Sequence, residues 1–365
     1  MTFDLVVIGG GPAGCGASIT AARAGAKVLQ LERGRFPRHK VCGEFVSAES
    51  LSLLSRLLKE EHCELINGAP RLPQARIFID GTQLGGQVSP AAASITRFDL
   101  DSALWQSAIA SGVDVREGCS VRSVDGHGPF RINTDRESFE AKAIINATGR
   151  WSNLTSSAIR ASAAGERWIG VKAHFHEQSP HPSVDLYFFD GGYCGVQPVS
   201  SASNGHGALV NACAMVRADI ASNLAEVFDA NSQLRARSRN WTPAMDPVTT
   251  SPLVFHEPEL LSLGMLQVGD SATFVDPFIG DGISLALRSG ALAAECLTPF
   301  FKQKCSLQQA TSAYCEAYKR RLGHVFRRSS RLRKMLLSRS FVRKPALSLL
   351  ERTPAITSML VRMTR

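Results

Sequence analysis

Three glycines and one acid near the start of the chain have the spacing of a phosphate-binding turn. Gly9, Gly11 and Gly14 follow the apolar run Phe3-Asp-Leu-Val-Val-Ile8 and open a stretch of small residues that reads as a helix. Gly9 permits a tight turn, Gly11 lets a pyrophosphate approach the backbone, and Gly14 allows close packing of helix on strand. Pro12 and Ala13 carry the helix N-terminus, whose orphan N–H groups and positive dipole end would face the phosphates. A second strand follows and ends in Glu32, where a carboxylate would accept hydrogen bonds from ribose hydroxyls and repel a 2′-phosphate. The alternative is a glycine-rich turn with an incidental acid. The order strand, glycines, helix, strand, acid favours a bound dinucleotide.

A second constellation lies late in the chain. Residues 263–270 read as a strand that ends at Gly269-Asp270. They lead through Asp276-Pro277-Phe-Ile-Gly280-Asp281-Gly282-Ile283 into a helix over 284–297. An acid at a strand end can accept two hydroxyl hydrogen bonds where a polyol passes; the alternative for Asp270 is a simple helix cap. A helix N-terminus at Gly282-Ile283 would stabilise negative charge beside it. Between these constellations, the apolar strand 142–147 stops at another glycine turn, Thr148-Gly149. The loop after Glu32 is rich in Gly, Pro and base. It would run along phosphates with Arg33, Arg35, Arg38 or Lys40, or else form a solvated basic surface.

The elements that must position these residues follow from periodicity. Residues 47–60 and 95–105 read as helices, the latter with Asp99 as cap or first-turn acid. Residues 75–88 alternate around Asp80-Gly81, a hairpin signal. Strands are expected at 113–124, 130–134, 169–175, 184–189 and 208–215, and a helix over 218–237. The later strands predict an antiparallel sheet in a second domain that covers the cofactor.

The chain has 365 residues, 44% hydrophobic and 20% charged, the composition of a globular protein. The first strand opens at once, which predicts no signal peptide. Nine scattered cysteines without a CxxC pair suit a reducing cytoplasm, and neither they nor the nine histidines have metal-ligand spacing, so no metal is expected. Of the net charge of +9, eleven Lys or Arg fall between Lys319 and Lys344 without an acid, so the rest of the chain is slightly acidic. Residues 320–343 interleave Leu322, Val325, Phe326, Leu332, Leu336 and Leu337 with this charge. They would form either a membrane-surface helix or a helix packed on the protein body. Without aromatic interleaving, nucleic acid is not an expected partner.

Taken in order, GGGPAG with Glu32, ATG at 147–149 and GDSATFVDPFIGDGI at 269–283 resemble the superfamily of FAD-dependent monooxygenases, geranylgeranyl reductases and flavin halogenases. The resemblance covers roughly residues 1–300, and PRHKVCGEF at 37–45 is similar to the PRxKxCG stretch of its reductase and halogenase-like branches. It implies an α/β fold: a Rossmann-like FAD-binding domain of glutathione-reductase type with an inserted antiparallel-sheet substrate domain and C-terminal helices. FAD-binding segments are expected at 1–74, 96–160 and 261–300. The substrate domain would take the hairpin 75–95 and residues 161–260, and a basic helical C-terminus 301–365.

The resemblance further implies that Glu32 binds the adenosine ribose, Asp270 the ribityl chain, and the backbone at 280–282 the flavin pyrimidine edge. Arg97 would stand near the FAD phosphates or ribityl chain, and the backbone of Val121 would pair with adenine. Cys42 would lie near the isoalloxazine, unless it is a structural thiol. Tyr193 and Gln197 would line the substrate side, unless they are surface hairpin residues. His174 and His176 share a strand face and read as satisfied sheet histidines. The halogenase WxWxIP segment is absent. The reductase aromatic segment is reduced to Gly192-Tyr-Cys-Gly-Val-Gln-Pro198, which keeps Tyr193 and Pro198 but lacks the tryptophan. No second GxGxxG marks a domain for NAD(P)H, which would visit transiently as electron donor. The implied function is oxidation–reduction on a hydrophobic small molecule: hydroxylation first, double-bond reduction second, then halogenation or non-catalytic carriage. The implied setting is cytoplasmic, with membrane contact through the tail.

Overall fold

The computed structural model describes residues 2–150, 154, 167–200, 207–250, 253, 255–277 and 280–323. Most of the basic stretch 320–343 therefore lies outside the described residues. Strand β1 (Thr2–Ile8), helix α1 (Pro12–Arg23) and strand β2 (Val28–Glu32) form the opening unit, with β1 and β2 parallel. Next come β3 (Phe45–Val46), α2 (Ala48–Leu57), the short α3 (Glu64–Asn67), β4 (Arg71–Ile79), β5 (Thr82–Ser94) and α4 (Arg97–Ala110). Four strands follow: β6 (Asp114–Glu117), β7 (Val121–Asp125), β8 (Phe130–Thr134) and β9 (Ser138–Asn146). The middle of the chain supplies β10 (Trp168–Glu177), β11 (Ser183–Phe189), β12 (Gly192–Pro198), β13 (Ala208–Arg217), α5 (Leu224–Asp229), α6 (Ser232–Ser238), β14 (Thr242–Pro243) and β15 (Val248–Thr250). The last described part is β16 (Leu261–Ser262), β17 (Met265–Gln267), α7 (Gly282–Phe301) and α8 (Leu307–Arg321).

Two sheets result. The first runs β16-β17-β9-β1-β2-β6, with β8 on β9 and β7 on β8. Its central pairs are parallel and apolar on both faces, as a sheet covered by helices requires. The second runs β14-β10-β13-β12-β11-β4-β5-β3, with β15 on β10. It is not wholly antiparallel as expected: β11 lies parallel to β4, a strand from an earlier segment of the chain. Other boundaries also move. β4 begins at Arg71 and β3 adds residues 45–46, so the loop after β2 reaches into the second sheet. The single helix expected over 218–237 is two short ones, each with an asparagine cap, Asn223 and Asn231. The strand expected over 263–270 turns at Leu263-Gly264 before β17, and Gly118 separates β6 from β7. The β4–β5 hairpin turns at Asp80-Gly81, both with positive φ (50° and 83°), the geometry of a type I′ turn.

Close backbone contact between α1 and α7 fixes where the two constellations meet. A Cβ on Gly290 would lie 2.0 Å from the Ala13 carbonyl oxygen, and one on Gly16 would lie 3.1 Å from that of Leu287. The two helices, 270 residues apart in numbering at their first residues, therefore bring Gly11–Gly14 beside Gly282-Ile283. Gly290→Ala is expected to cost roughly 1–3 kcal/mol through overpacking, read as a lowered urea midpoint. Gly85→Ala, at an open position in β5, is the control and leaves the midpoint unchanged.

Candidate functional site

Both constellations open onto one cavity of about 1000 Å³ between the sheets. Its lining includes Gly9, Gly11, Pro12, Ala13, Glu32, Arg33, Lys40, Arg97, Val121, Thr148, Gly149, Asp270, Pro277, Gly280, Gly282 and Ile283. The expected substrate-side residues Cys42, Tyr193 and Gln197 line it as well. Gly14 and Asp281 do not. Gly14 packs helix on strand, since a Cβ there would fall 1.9 Å from the Gly9 carbonyl oxygen. Asp281 is buried at the N-cap of α7.

The polar end is built from main chain and paired charge. Gly9 has φ 117°, and a Cβ would meet the Ala147 carbonyl oxygen at 2.2 Å, so only glycine fits. Gly11 faces open space with Arg97 Nη2 and Lys40 Nζ 3.7 and 4.0 Å from where its Cβ would be. Backbone and two cations thus converge where a pyrophosphate would lie at the N-terminus of α1. Arg97 is held by a bidentate pair with the fully buried Asp101, 2.7 Å on each arm. Burial opposes its charge, but the Asp101 carboxylate outweighs this and raises the guanidinium's pKa above its ordinary value. Thr96 caps the helix behind it by accepting from the Asp99 N–H, so Asp99 is the first-turn acid rather than the cap.

Glu32 accepts from the Gly10 and Gly34 N–H groups, 2.7 Å each, and from Arg38 at 2.9 Å. Burial favours its neutral form, yet Arg38, Lys40 and the Gly34 N–H together hold its pKa below the usual carboxylate value. The loop after β2 is therefore a working wall of the cavity and not a solvated surface. Arg33 is exposed at its rim, and Arg35 does not line it.

The opposite end is apolar. Ile77, Leu84, Met215, Leu253 and Phe274 line it, with Tyr193 buried among them. Tyr193 and Gln197 are 3% and 2% exposed, which overturns the surface-hairpin alternative. The reason is the strand they occupy: in β12, Tyr193, Gly195 and Gln197 face the cavity while Cys194 and Val196 face the core behind. Tyr193 Oη donates to Asp276 Oδ1 at 3.2 Å, and Gln197 Nε2 donates to Ser94 Oγ at 2.6 Å. Cys42 Sγ accepts from the Glu44 N–H at 3.3 Å.

One group escaped the sequence reading. Glu44 is fully buried with φ 61°, and its carboxylate takes Lys172 Nζ, the Arg97 N–H at 2.8 Å and His174 Nε2 at 2.8 Å. His174 is thereby the satisfied sheet histidine expected. Lys172, also fully buried, lies on the same strand two residues earlier. A lysine alternating with histidine in an apolar strand was the available signal, but nothing local names an acid 128 residues away as its partner.

A family model described as "FAD dependent oxidoreductase" matches residues 45–167, and one described as "Glucose inhibited division protein A" matches 4–68. A digeranylgeranylglycerophospholipid reductase of Methanopyrus kandleri is 25% identical over 338 residues, covering 90% of this chain and 85% of that protein. A menaquinone reductase of Mycolicibacterium smegmatis is 25% identical over 328 residues, covering 81% and 76%. The structure of a flavin-dependent brominase superposes with a TM-score of 0.79 at 18% identity, over 100% of this chain and 93% of that one. The glycine cradle, the paired cations at Gly11 and the buried Glu32 fit FAD.

Glu44→Gln is expected to cost roughly 3–5 kcal/mol, because it leaves the Lys172 charge buried without a counter-ion. Glu44→Gln with Lys172→Met recovers most of that loss. Burial alone would raise the Glu44 pKa, but His174 and Lys172 bring it below the ordinary 4.5. The unfolded chain therefore binds this proton first as pH falls, so the contribution is complete above about 4.5 and fades as pH drops through the folded value. Urea midpoints measured from pH 7 to 3 should fall less steeply in the double variant than in the wild type.

Proposed function

We infer that this chain, an FAD-dependent oxidoreductase of the superfamily that includes geranylgeranyl reductases and flavin halogenases, reduces a carbon–carbon double bond in an apolar, isoprenoid-like substrate. The observation that carries this reading is one cavity with a dinucleotide cradle at one end, an aliphatic chamber at the other, and the Cys42 thiol between them. The relatives named as reductases support it. FAD would be held by the Gly9–Ala13 turn, Glu32, Lys40, Arg97 and Asp270, and would supply hydride chemistry when bound. The chain's own residues supply the rest.

Reducing a double bond adds hydride to one carbon and a proton to the other. Cys42 Sγ–H is the proton donor in this reading. The thiol is held in place by the Glu44 N–H, which donates to its Sγ at 3.3 Å. Tyr193 and Gln197 donate to Asp276 and Ser94, which makes them fixed parts of the wall rather than acids. Ile77, Leu84, Met215, Leu253 and Phe274 exclude water and orient a hydrocarbon by burial. NAD(P)H remains the proposed transient donor. A hydroxylating monooxygenase would draw on the same dry chamber. It ranks second because a reductase needs a proton donor beside the substrate, and the thiol supplies one.

The test is anaerobic. FAD-bound protein is reduced with one equivalent of dithionite and mixed with a geranylgeranyl lipid that carries no quinone, and the products are read by mass. The expected result is oxidation of the flavin without oxygen and a product heavier by two hydrogens. A product heavier by one oxygen atom, formed only in air, would overturn the reductase in favour of hydroxylation. Cys42→Ser is expected to lower product formation by roughly a hundredfold or more while FAD content stays the same.

A further inference from the structure

Gly195 stands in the middle of β12, a strand paired on both sides, and nothing in the fold requires a glycine there. It pairs with Leu186 of β11 and with Cys213 of β13, and both ladders run through it without a bulge. Its φ is not in the left-handed region. A Cβ would make only ordinary contacts, 3.4 Å from Leu186 Cδ2 and 3.7 Å from the Cys213 carbonyl oxygen. Gly192 on the same strand differs: a Cβ there would fall 2.5 Å from the Met215 carbonyl oxygen, so that glycine serves the sheet. A glycine inside a strand weakens it, and one that is neither a bulge nor a close crossing of backbones marks the approach of a ligand. Gly195 faces the cavity.

The register shows what the missing side chain opens. Residues directly opposite one another on neighbouring strands share a face. Ile77 of β4 pairs with Leu186, so Ile77, Leu186, Gly195 and Cys213 form one row across four strands, and all four line the cavity. Tyr193 and Met215 stand on one side of this row, Val184 and Gln197 on the other. Tyr193 and Gln197 are fixed by their bonds to Asp276 and Ser94, which gives the groove rigid walls. Its floor is uncharged, since burial raises the pKa of the Cys213 thiol well above the ordinary value. Past Cys213 the groove meets the Cys42 loop: Asn211, two residues earlier on β13, donates from Nδ2 to the Cys42 carbonyl at 2.9 Å.

We propose that the hydrocarbon chain of the substrate lies across the second sheet in the groove of Ile77, Leu186, Gly195 and Cys213, and that Gly195 is the specificity-determining residue that leaves room for it. The chain crosses the peptide of Gly195 between Tyr193 and Gln197 and is led toward Cys42. This rests on the apolar-substrate reading above. Gly195 meets substrate through its backbone and takes no part in proton transfer. A larger residue there would fill the groove from its floor and leave both ladders intact.

The experiment is a titration of the oxidised, FAD-bound protein with geraniol and geranylgeraniol, which share one head group and differ in chain length. The wild type is expected to bind geranylgeraniol about tenfold or more tightly, because the longer chain buries more apolar surface in the groove. Gly195→Leu should bring the two affinities together with FAD content unchanged. Gly195→Ala, which narrows the groove by a methyl group, should reduce the preference part of the way and raise the urea midpoint, since it removes a glycine from a strand interior. A lowered midpoint in Gly195→Ala would show that the fold needs the glycine and would overturn the proposal. Equal affinities in the wild type, or variants that keep the full preference for the longer chain, would overturn the groove but leave the apolar-substrate reading standing. Binding of neither alcohol by the wild type would overturn both. Loss of FAD from a folded Gly195→Leu protein would assign the position to the cofactor and overturn the proposal.

Discussion

The carboxylate of Glu44 holds the two halves of this molecule in register. It sits in the loop after the second strand of the dinucleotide sheet, but its partners are Lys172 and His174 on β10 of the other sheet and the first N–H of α4. Its own backbone is tied on both sides: the N–H donates to Cys42 Sγ, and the carbonyl accepts from Ile95 N–H at 2.9 Å. Burying a carboxylate, an ammonium and an imidazole together is expensive, and apolar replacements of such clusters are often neutral or better for stability. A non-glycine residue at φ 61° adds a backbone cost at the same point. What this arrangement secures is position. The thiol of Cys42, the N-terminus of α4 with Arg97 and strand β10 of the second sheet all meet at one residue.

The cavity that depends on this pin divides the labour between backbone and side chain. At the dinucleotide end, the recognising groups are peptide N–H groups, a helix terminus and glycines whose missing Cβ atoms leave room for ligand or neighbouring chain. Such a site tolerates little substitution, because the contacts are the chain itself. At the other end, alternate residues of β4, β5, β11, β12 and β13 present Ile77, Leu84, Leu186, Tyr193 and Met215 as a ceiling. Side chains there can be exchanged for others of similar volume at modest cost. The two ends therefore differ in how much substitution they tolerate: one is built from main chain, the other from exchangeable apolar side chains.

This difference also explains what could be read from the sequence. The dinucleotide cradle was legible because its determinants are local: glycine spacing, a strand-end acid, and a helix start after Gly282. Helix α4, the β4–β5 hairpin and most strands of both sheets were legible for the same reason, since period and turn chemistry lie within a few residues. Three features were not. The parallel pairing of β11 with β4 joins segments 109 residues apart, as Arg76 and Asp185 do by their ion pair across it. Tyr193 and Gln197 read equally well as exposed or buried until β13 and β11 closed on either side of β12. Glu44 carries no local mark at all, because its meaning comes from β10.

The same fold therefore does not settle the chemistry. Solved structures named as a flavin-dependent brominase and as a geranylgeranyl bacteriochlorophyll reductase-like protein share this fold, as expected when function resides in side chains set on a common frame. What distinguishes one chemistry from another must lie within reach of both cofactor and substrate. In this chain the cavity is lined by a thiol that accepts from a peptide N–H and by a guanidinium lying over a phenyl ring. Neither belongs to a strand or helix interior. Cys42 is in the loop that Glu44 ties down, and Arg150 follows the glycine turn after β9. Loops braced from the opposite domain can change their side chains without disturbing either sheet, which is how one scaffold can support different reactions.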